Sequence, residues 1–225
     1  MLSTKHIHPS WQMIVDNALS HMDADYLKHL GAQDFLPKRV DLFNAFSLPL
    51  DQVQFVLFGE SPYPRADSAN GYAFWDAAVS SLWSDTGLSK PVNRATSLRN
   101  ILKMLLVTAG LLSPDHTTQE AIALIDKSHL VQTLSALFEN LQKQGVLLLN
   151  ASLVLSDLGK QVDAKQWQPF VNHILKALHP EKPNAKLILF GKIAERILSL
   201  DATIAFETHI AEHPYNISFI QNSTV

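Results

Sequence analysis

Apolar positions along this chain follow two alternating rhythms. Trp11, Ile14, Val15, Ala18, Leu19, Met22, Tyr26, Leu27 and Leu30 keep helical spacing from Pro9 to Leu30, with Ser10 near the start and Gly31 just after the end. A short apolar run at about 53–58 then reads as a first strand. Ser97 to Ala109 returns to the helical spacing and stops at Gly110, and Thr117-Thr118-Gln119-Glu120 opens a short helix by capping-box logic. His129 to Lys143 predicts another helix. Gly145-Val-Leu-Leu-Leu-Asn150 is a continuous apolar run, as expected of a strand covered on both faces. Asp163 to Leu178 predicts a helix, Lys186 to Gly191 a third strand, Ile193 to Leu200 a helix, and Glu207 to His213 a fourth strand. Strands separated by helices imply an α/β fold: a three-layer α/β/α sandwich around a central, mainly parallel four-stranded sheet. With no internal repeat, low-complexity segment or linker, residues 1–225 read as one domain.

Composition narrows the class only a little. The 225 residues are 47% hydrophobic and 17% charged, ordinary values for a globular protein able to bury a sizeable core. There is no Cys, so disulfides and thiolate metal sites are excluded. His6 and His8 near the start suggest no metal site, and no motif calls for a cofactor. The first ten residues carry no apolar signal core, and no apolar run approaches the roughly 18–20 residues of a membrane span. A cytoplasmic monomer with no membrane contact is the expectation. The net charge of −3 neither suggests nor excludes nucleic acid, which needs a basic face and not a basic total.

Candidate chemistry collects at strand ends. Glu60 and Ser61 follow the first strand, Asn150 ends the second, and His213 follows the fourth. In a parallel sheet these ends share one edge, so residues distant in sequence converge. The first of them opens a loop punctuated by Pro62 and Pro64, which returns through Gly71 to Tyr72, Phe74 and Trp75.

That loop, Gly59-Glu-Ser-Pro-Tyr-Pro64 with Gly71-Tyr-Ala-Phe-Trp75, resembles the water-activating loop of uracil-DNA glycosylases, G-Q-D-P-Y-H followed by G-L-x-F-S. Asp41-Leu-Phe-Asn-Ala-Phe46 is similar to that family's D-V-F-N-A-F. Ser97-Leu98-Arg99-Asn100 sits where the family has P-S-L-x-N, and Gly145 to Asn150 matches its G-V-L-L-L-N. Leu187 to Gly191 resembles its strand ending in W-G, and His213-Pro214 its H-P-S-P-L loop. Each motif is short, but six in order are specific, and the chain is identified as a member of this superfamily, closest to the branch with the D-P-Y-H loop.

The resemblance implies a DNA glycosylase that removes uracil, or a related damaged base, after flipping it out of the stack in base excision repair. Phe74 would stack on the base, Asn150 would pair with its edge, and Tyr63 would fill the space of thymine's methyl. His213 would stabilise the departing uracil anion, Ser97 would contact the DNA, and Ile217 would replace the extruded base as a wedge. Arg65, Arg94, Arg99, Lys192 and Arg196 would line a phosphate track. Each residue also has an ordinary structural use: Asn150 as a cap, Phe74 and Trp75 as core, His213 as a loop histidine, Ile217 as buried packing.

Ser61 is the main departure, for it stands where the family has its catalytic Asp. A neutral hydroxyl offers no charge to an oxocarbenium-like sugar. Glu60 replaces the family's Gln, and other branches open this loop with G-E-x-P, where the Glu is tied to water activation. Glu60 and Ser61 with His213 are therefore the candidate catalytic groups. Pro64, Tyr215 and Asn216 also depart from the pattern. The alternative reading is a catalytically weak or inert homologue that binds DNA or a free base; a hydrolase for a different damaged base is a third.

Overall fold

The four apolar segments expected as strands pair side by side in the computed structural model, which describes residue 2 and residues 5–222. Helices α1 (Pro9–Ser20) and α2 (Ala24–Ala32) precede strand β1 (Phe55–Gly59). Two-residue strands β2 (Trp83–Ser84) and β3 (Gly87–Leu88) form an antiparallel ribbon. Helices α3 (Lys90–Arg94), α4 (Thr96–Thr108), α5 (Gln119–Ala123) and α6 (Leu134–Lys143) lead to β4 (Val146–Asn150). Then come α7 (Lys160–Gln166), α8 (Gln168–Glu181), β5 (Lys186–Phe190), α9 (Lys192–Leu198) and β6 (Glu207–Ala211). The main sheet has the order β4-β1-β5-β6, and all of its pairs are parallel.

Alternation along the strands divides the core in two. Val56 and Phe58, Leu147 and Leu149, and Leu187 and Leu189 face a cluster that includes Trp11, Val15, Phe170 and Ile174 of α1 and α8. Leu57, Leu148 and Phe190 face the other way, onto Leu98 and Leu102 of α4 and Phe138 of α6. Each such side chain, fully withdrawn from water, contributes roughly 1.5–3 kcal/mol before entropy is counted. The sandwich expected from the sequence is the observed architecture.

Several boundaries differ from the periodicity. The apolar stripe of 9–30 spans two helices, because the Asp23 side chain accepts the Tyr26 N–H at 2.8 Å and caps a new start. The helix expected from His129 begins only at Leu134, where Thr133 caps by accepting the Ala136 N–H at 3.2 Å. Before it, the Gln132 side chain donates to the carbonyls of Lys127 and Leu130 and holds that stretch as a loop. The helix expected over 163–178 is divided at Trp167 into α7 and α8, and Pro169, in the first turn of α8, has no N–H with which to continue α7. The ribbon and α3 were not expected at all; their strands are too short for an apolar rhythm to register. Among the described residues no helix is long and apolar enough to cross a membrane.

Candidate active site

The parallel order carries the C-terminal ends of β1, β4 and β6 to one edge, and a cleft of about 320 Å³ opens there. Gly59 and Asn150 are register partners at the ends of β1 and β4. A Cβ on Gly59 would run into the Asn150 carboxamide oxygen and lie 2.9 Å from the Ala73 Cβ, so glycine at this position is what lets the Asn150 side chain lie against β1. Asn150 is 3% exposed, yet its carboxamide makes no hydrogen bond to protein among the described residues. The capping alternative for Asn150 is therefore overturned. The polar atoms of Asn150 are not sealed from solvent but open onto the cleft, where the amide is free to bond what enters.

The loop after β1 is held from several sides. Gly71, at φ +85°, packs against the Asp41 carbonyl, and the Asn44 side chain donates to Asn70 O at 2.9 Å. The Asp41–Phe46 segment is thus the buttress of this loop. Arg65 pairs at 3.1 Å with the buried Asp76, which also accepts the Ala78 N–H. Tyr72 stacks on Trp75, and Trp75 on Phe138, so Trp75 belongs to the core. Phe74 between them has φ +62°, a conformation costing an ordinary side chain roughly 1–3 kcal/mol. Its ring is only half-buried, lies edge-on to Phe190 at 5.7 Å, and lines the cleft. The Tyr63 hydroxyl donates to the Phe74 carbonyl at 3.2 Å. Burial pushes the Tyr63 phenol up to about 12, the Asp76 charge adds to the rise and Arg65 opposes it, so the ring stays neutral at physiological pH.

His213 follows β6. Gly191, at φ +56°, faces it: a Cβ there would lie 2.7 Å from the His213 Cβ. The His213 Nδ1 accepts the Tyr215 N–H at 3.0 Å, which places the proton of the neutral ring on Nε2. Burial lowers the His213 pKa below its ordinary value, partly offset by the Glu60 carboxylate. The ring is thus a neutral Nε2–H donor at the cleft. The loop that carries it is clasped by the buried Asn100, whose Nδ2 donates to Pro214 O at 2.8 Å and Asn216 O at 3.2 Å.

The expected catalytic and base-binding residues and Ser97 all line this one cleft, namely Glu60, Ser61, Tyr63, Phe74, Ser97, Asn150 and His213, whereas Ile217 and the expected phosphate-track residues Arg65, Arg94, Arg99, Lys192 and Arg196 do not. Ser97 arrives from the first turn of α4. The Ser61 hydroxyl has no hydrogen bond among the described residues. Ile217 stands outside the cleft, at the start of a short 3-10 turn (Ile217–Gln221), and is 78% exposed, so the buried alternative for it is overturned. Sequence reasoning missed Lys160, which lines the cleft and pairs with Glu60 at 3.4 Å. Asn100 lay inside a matched segment, but nothing in the sequence showed what it holds. Among the described residues no three His, Asp or Glu side chains are placed to hold a metal ion.

No family model matches the chain. It is 40% identical to the wild-type UNG of Nitratifractor salsuginis, whose crystal structure superposes with a TM-score of 0.92 over 97% of this chain and 88% of that one. The uracil-DNA glycosylase of Corynebacterium glutamicum is 28% identical over 203 residues, 85% of this chain and 74% of that protein. The uracil-DNA glycosylase of Streptococcus mutans is 27% identical over 215 residues, 92% and 83% of the two chains. Likeness of this extent, in sequence and in the path of the backbone, means that the chain belongs to the uracil-DNA glycosylase family.

Proposed function

We propose that this protein hydrolyses the N-glycosidic bond of deoxyuridine in DNA after the base has flipped into the cleft, the opening step of base excision repair. The observation that carries the reading is the Asn150 carboxamide, without a protein hydrogen bond among the described residues and opening onto the cleft that the Phe74 ring and His213, with its Nε2–H, also line. Its amide can donate to O4 of uracil and accept from N3–H, whereas cytosine reverses both groups. A site built to hydrogen-bond one edge rejects the other strongly, because buried polar groups are otherwise left unpaired. Phe74 supplies the stacking surface, and Tyr63 occupies the space beside C5. The C1′–N1 bond breaks with its electron pair going to the base, and the His213 Nε2–H stabilises the charge that develops at O2. One such donor is typically worth ~10²–10³ in rate. Water adds to C1′, gives up a proton, and leaves an abasic sugar; the uracil anion is protonated from solvent.

Glu60 is the carboxylate available to orient that water. It lines the cleft and lies close enough to His213 to influence its proton affinity. Its exposed contact with Lys160 is worth little and is readily exchanged. The partnerless, uncharged Ser61 favours a second reading, a catalytically weak homologue that still binds DNA or the free base. Single-turnover uracil release by wild type, Glu60→Gln and Ser61→Asp separates the two. A fast wild type that loses most of its rate, ~10²-fold or more, in Glu60→Gln supports the hybrid enzyme. A slow wild type accelerated by Ser61→Asp supports the weak homologue, and no release from any of the three removes the glycosylase reading.

A further inference from the structure

The protein has four tyrosines, and three are tied down through their hydroxyls. Tyr26 donates to Asp163 at 2.8 Å, Tyr63 donates to Phe74 O, and Tyr72 bonds with Ser47 at 3.1 Å. Tyr215 is different. Its side chain is 68% exposed, and neither its hydroxyl nor its ring has a partner among the described residues. Its backbone, in contrast, is fixed: the N–H donates to His213 Nδ1 and the carbonyl accepts from Asn100 Nδ2 at 3.4 Å. A bare aromatic ring is thus mounted on a rigid loop, two residues after His213 and two before the equally bare Ile217.

The cations around the cleft are only partly engaged by the protein. Arg65 is paired with Asp76 and Arg99 donates to Asn93 O at 3.0 Å, while the exposed Lys160–Glu60 contact is readily exchanged. Arg94, just before the cleft-lining Ala95, and Lys192, just after the Gly191 that faces His213, are exposed and can meet phosphate, so an aromatic contact would add to charge and not replace it. Stacking on a base needs no charge and tolerates any sequence, because every base has a π face.

We propose that Tyr215 is a stacking site for the nucleobase next to the flipped uracil on the same strand, so that the protein grips its substrate through the uracil-bearing strand. This rests on the reading of the cleft as a uracil site. The ring adds to the wedge residue by holding the neighbouring base and not the gap.

Single-stranded uracil oligonucleotides test it, with the base on either side of uracil present or replaced by a tetrahydrofuran abasic analogue. Tyr215→Ala should lower kcat/KM roughly tenfold on the intact oligonucleotide, mainly through KM, while Tyr215→Phe stays near wild type. Removing the stacked neighbour should cost wild type as much, and Tyr215→Ala should then add nothing. Equal losses with and without the neighbour, or no loss at all, overturn the proposal. A binding readout stands apart from activity: 2-aminopurine beside an uncleavable 2′-fluorodeoxyuridine should be quenched by wild type and Tyr215→Phe and not by Tyr215→Ala. Quenching without release of uracil from the cleavable oligonucleotide keeps the stacking site and removes the glycosylase; release without Tyr215-dependent quenching does the reverse.

Discussion

Replacing Asn150 by alanine separates a side chain kept for the fold from one kept for a ligand. Most buried asparagines hold backbone groups, and their loss leaves those partners orphaned at ~1–3 kcal/mol each. Asn150 is 3% exposed but has no protein partner among the described residues, so nothing in the free protein is orphaned by Asn150→Ala. The amide opens onto the cleft, so its removal relieves no sealed, unpaired group either. Stability should therefore change by less than ~1 kcal/mol, in either direction. With uracil bound the sum is reversed. O4 and N3–H would both lose their partner, about 2–6 kcal/mol together, or roughly 30-fold to 10⁴-fold in affinity. Urea denaturation of the two proteins gives the first number, and titration of free uracil by calorimetry or NMR the second. A loss of 2 kcal/mol or more in stability would show the amide to be structural. Unchanged uracil binding would remove Asn150 from the site.

Other consequences can be checked on the free protein. The His213 ring should titrate below 6.5 and show the Nε2–H tautomer in its nitrogen NMR shifts; because the folded pKa is depressed, stability should be unaffected above pH 6.5 and decline as pH falls from there to the folded value. A midpoint above 6.5 would contradict the burial argument. Gly191→Ala adds a methyl 2.7 Å from the His213 Cβ at a position with φ +56°, so it should cost more than ~1 kcal/mol by thermal or urea unfolding and should perturb the His213 resonances. Asp163, fully buried, accepts from Tyr26, from the Ser156 N–H and from the Ser156 hydroxyl at 2.7–2.8 Å. Asp163→Ala should destabilise by about 3 kcal/mol or more, and a change under 1 kcal/mol would show that these groups find other partners.

The sheet was legible in the sequence because its strands are continuous apolar runs covered on both faces. Residues 146–150, all buried, could be little else. Given parallel strands, the meeting of Glu60, Asn150 and His213 at one edge followed from topology alone, with no knowledge of any side-chain contact. Helix limits were less legible. Asp23, Thr133 and Pro169 interrupt apolar stripes that run on past them, because periodicity records which face is buried and not where the backbone bonds stop. What tertiary structure alone decided is the state of each group in the cleft. Lys160 meets Glu60 across 100 positions, and Asn100 reaches Pro214 across 114. The proton on His213 sits where a backbone N–H two residues on directs it, and Asn150 is unpartnered because of what surrounds it. Residue type sets what a side chain can donate or accept, but only its neighbours in space determine which of those bonds are already taken.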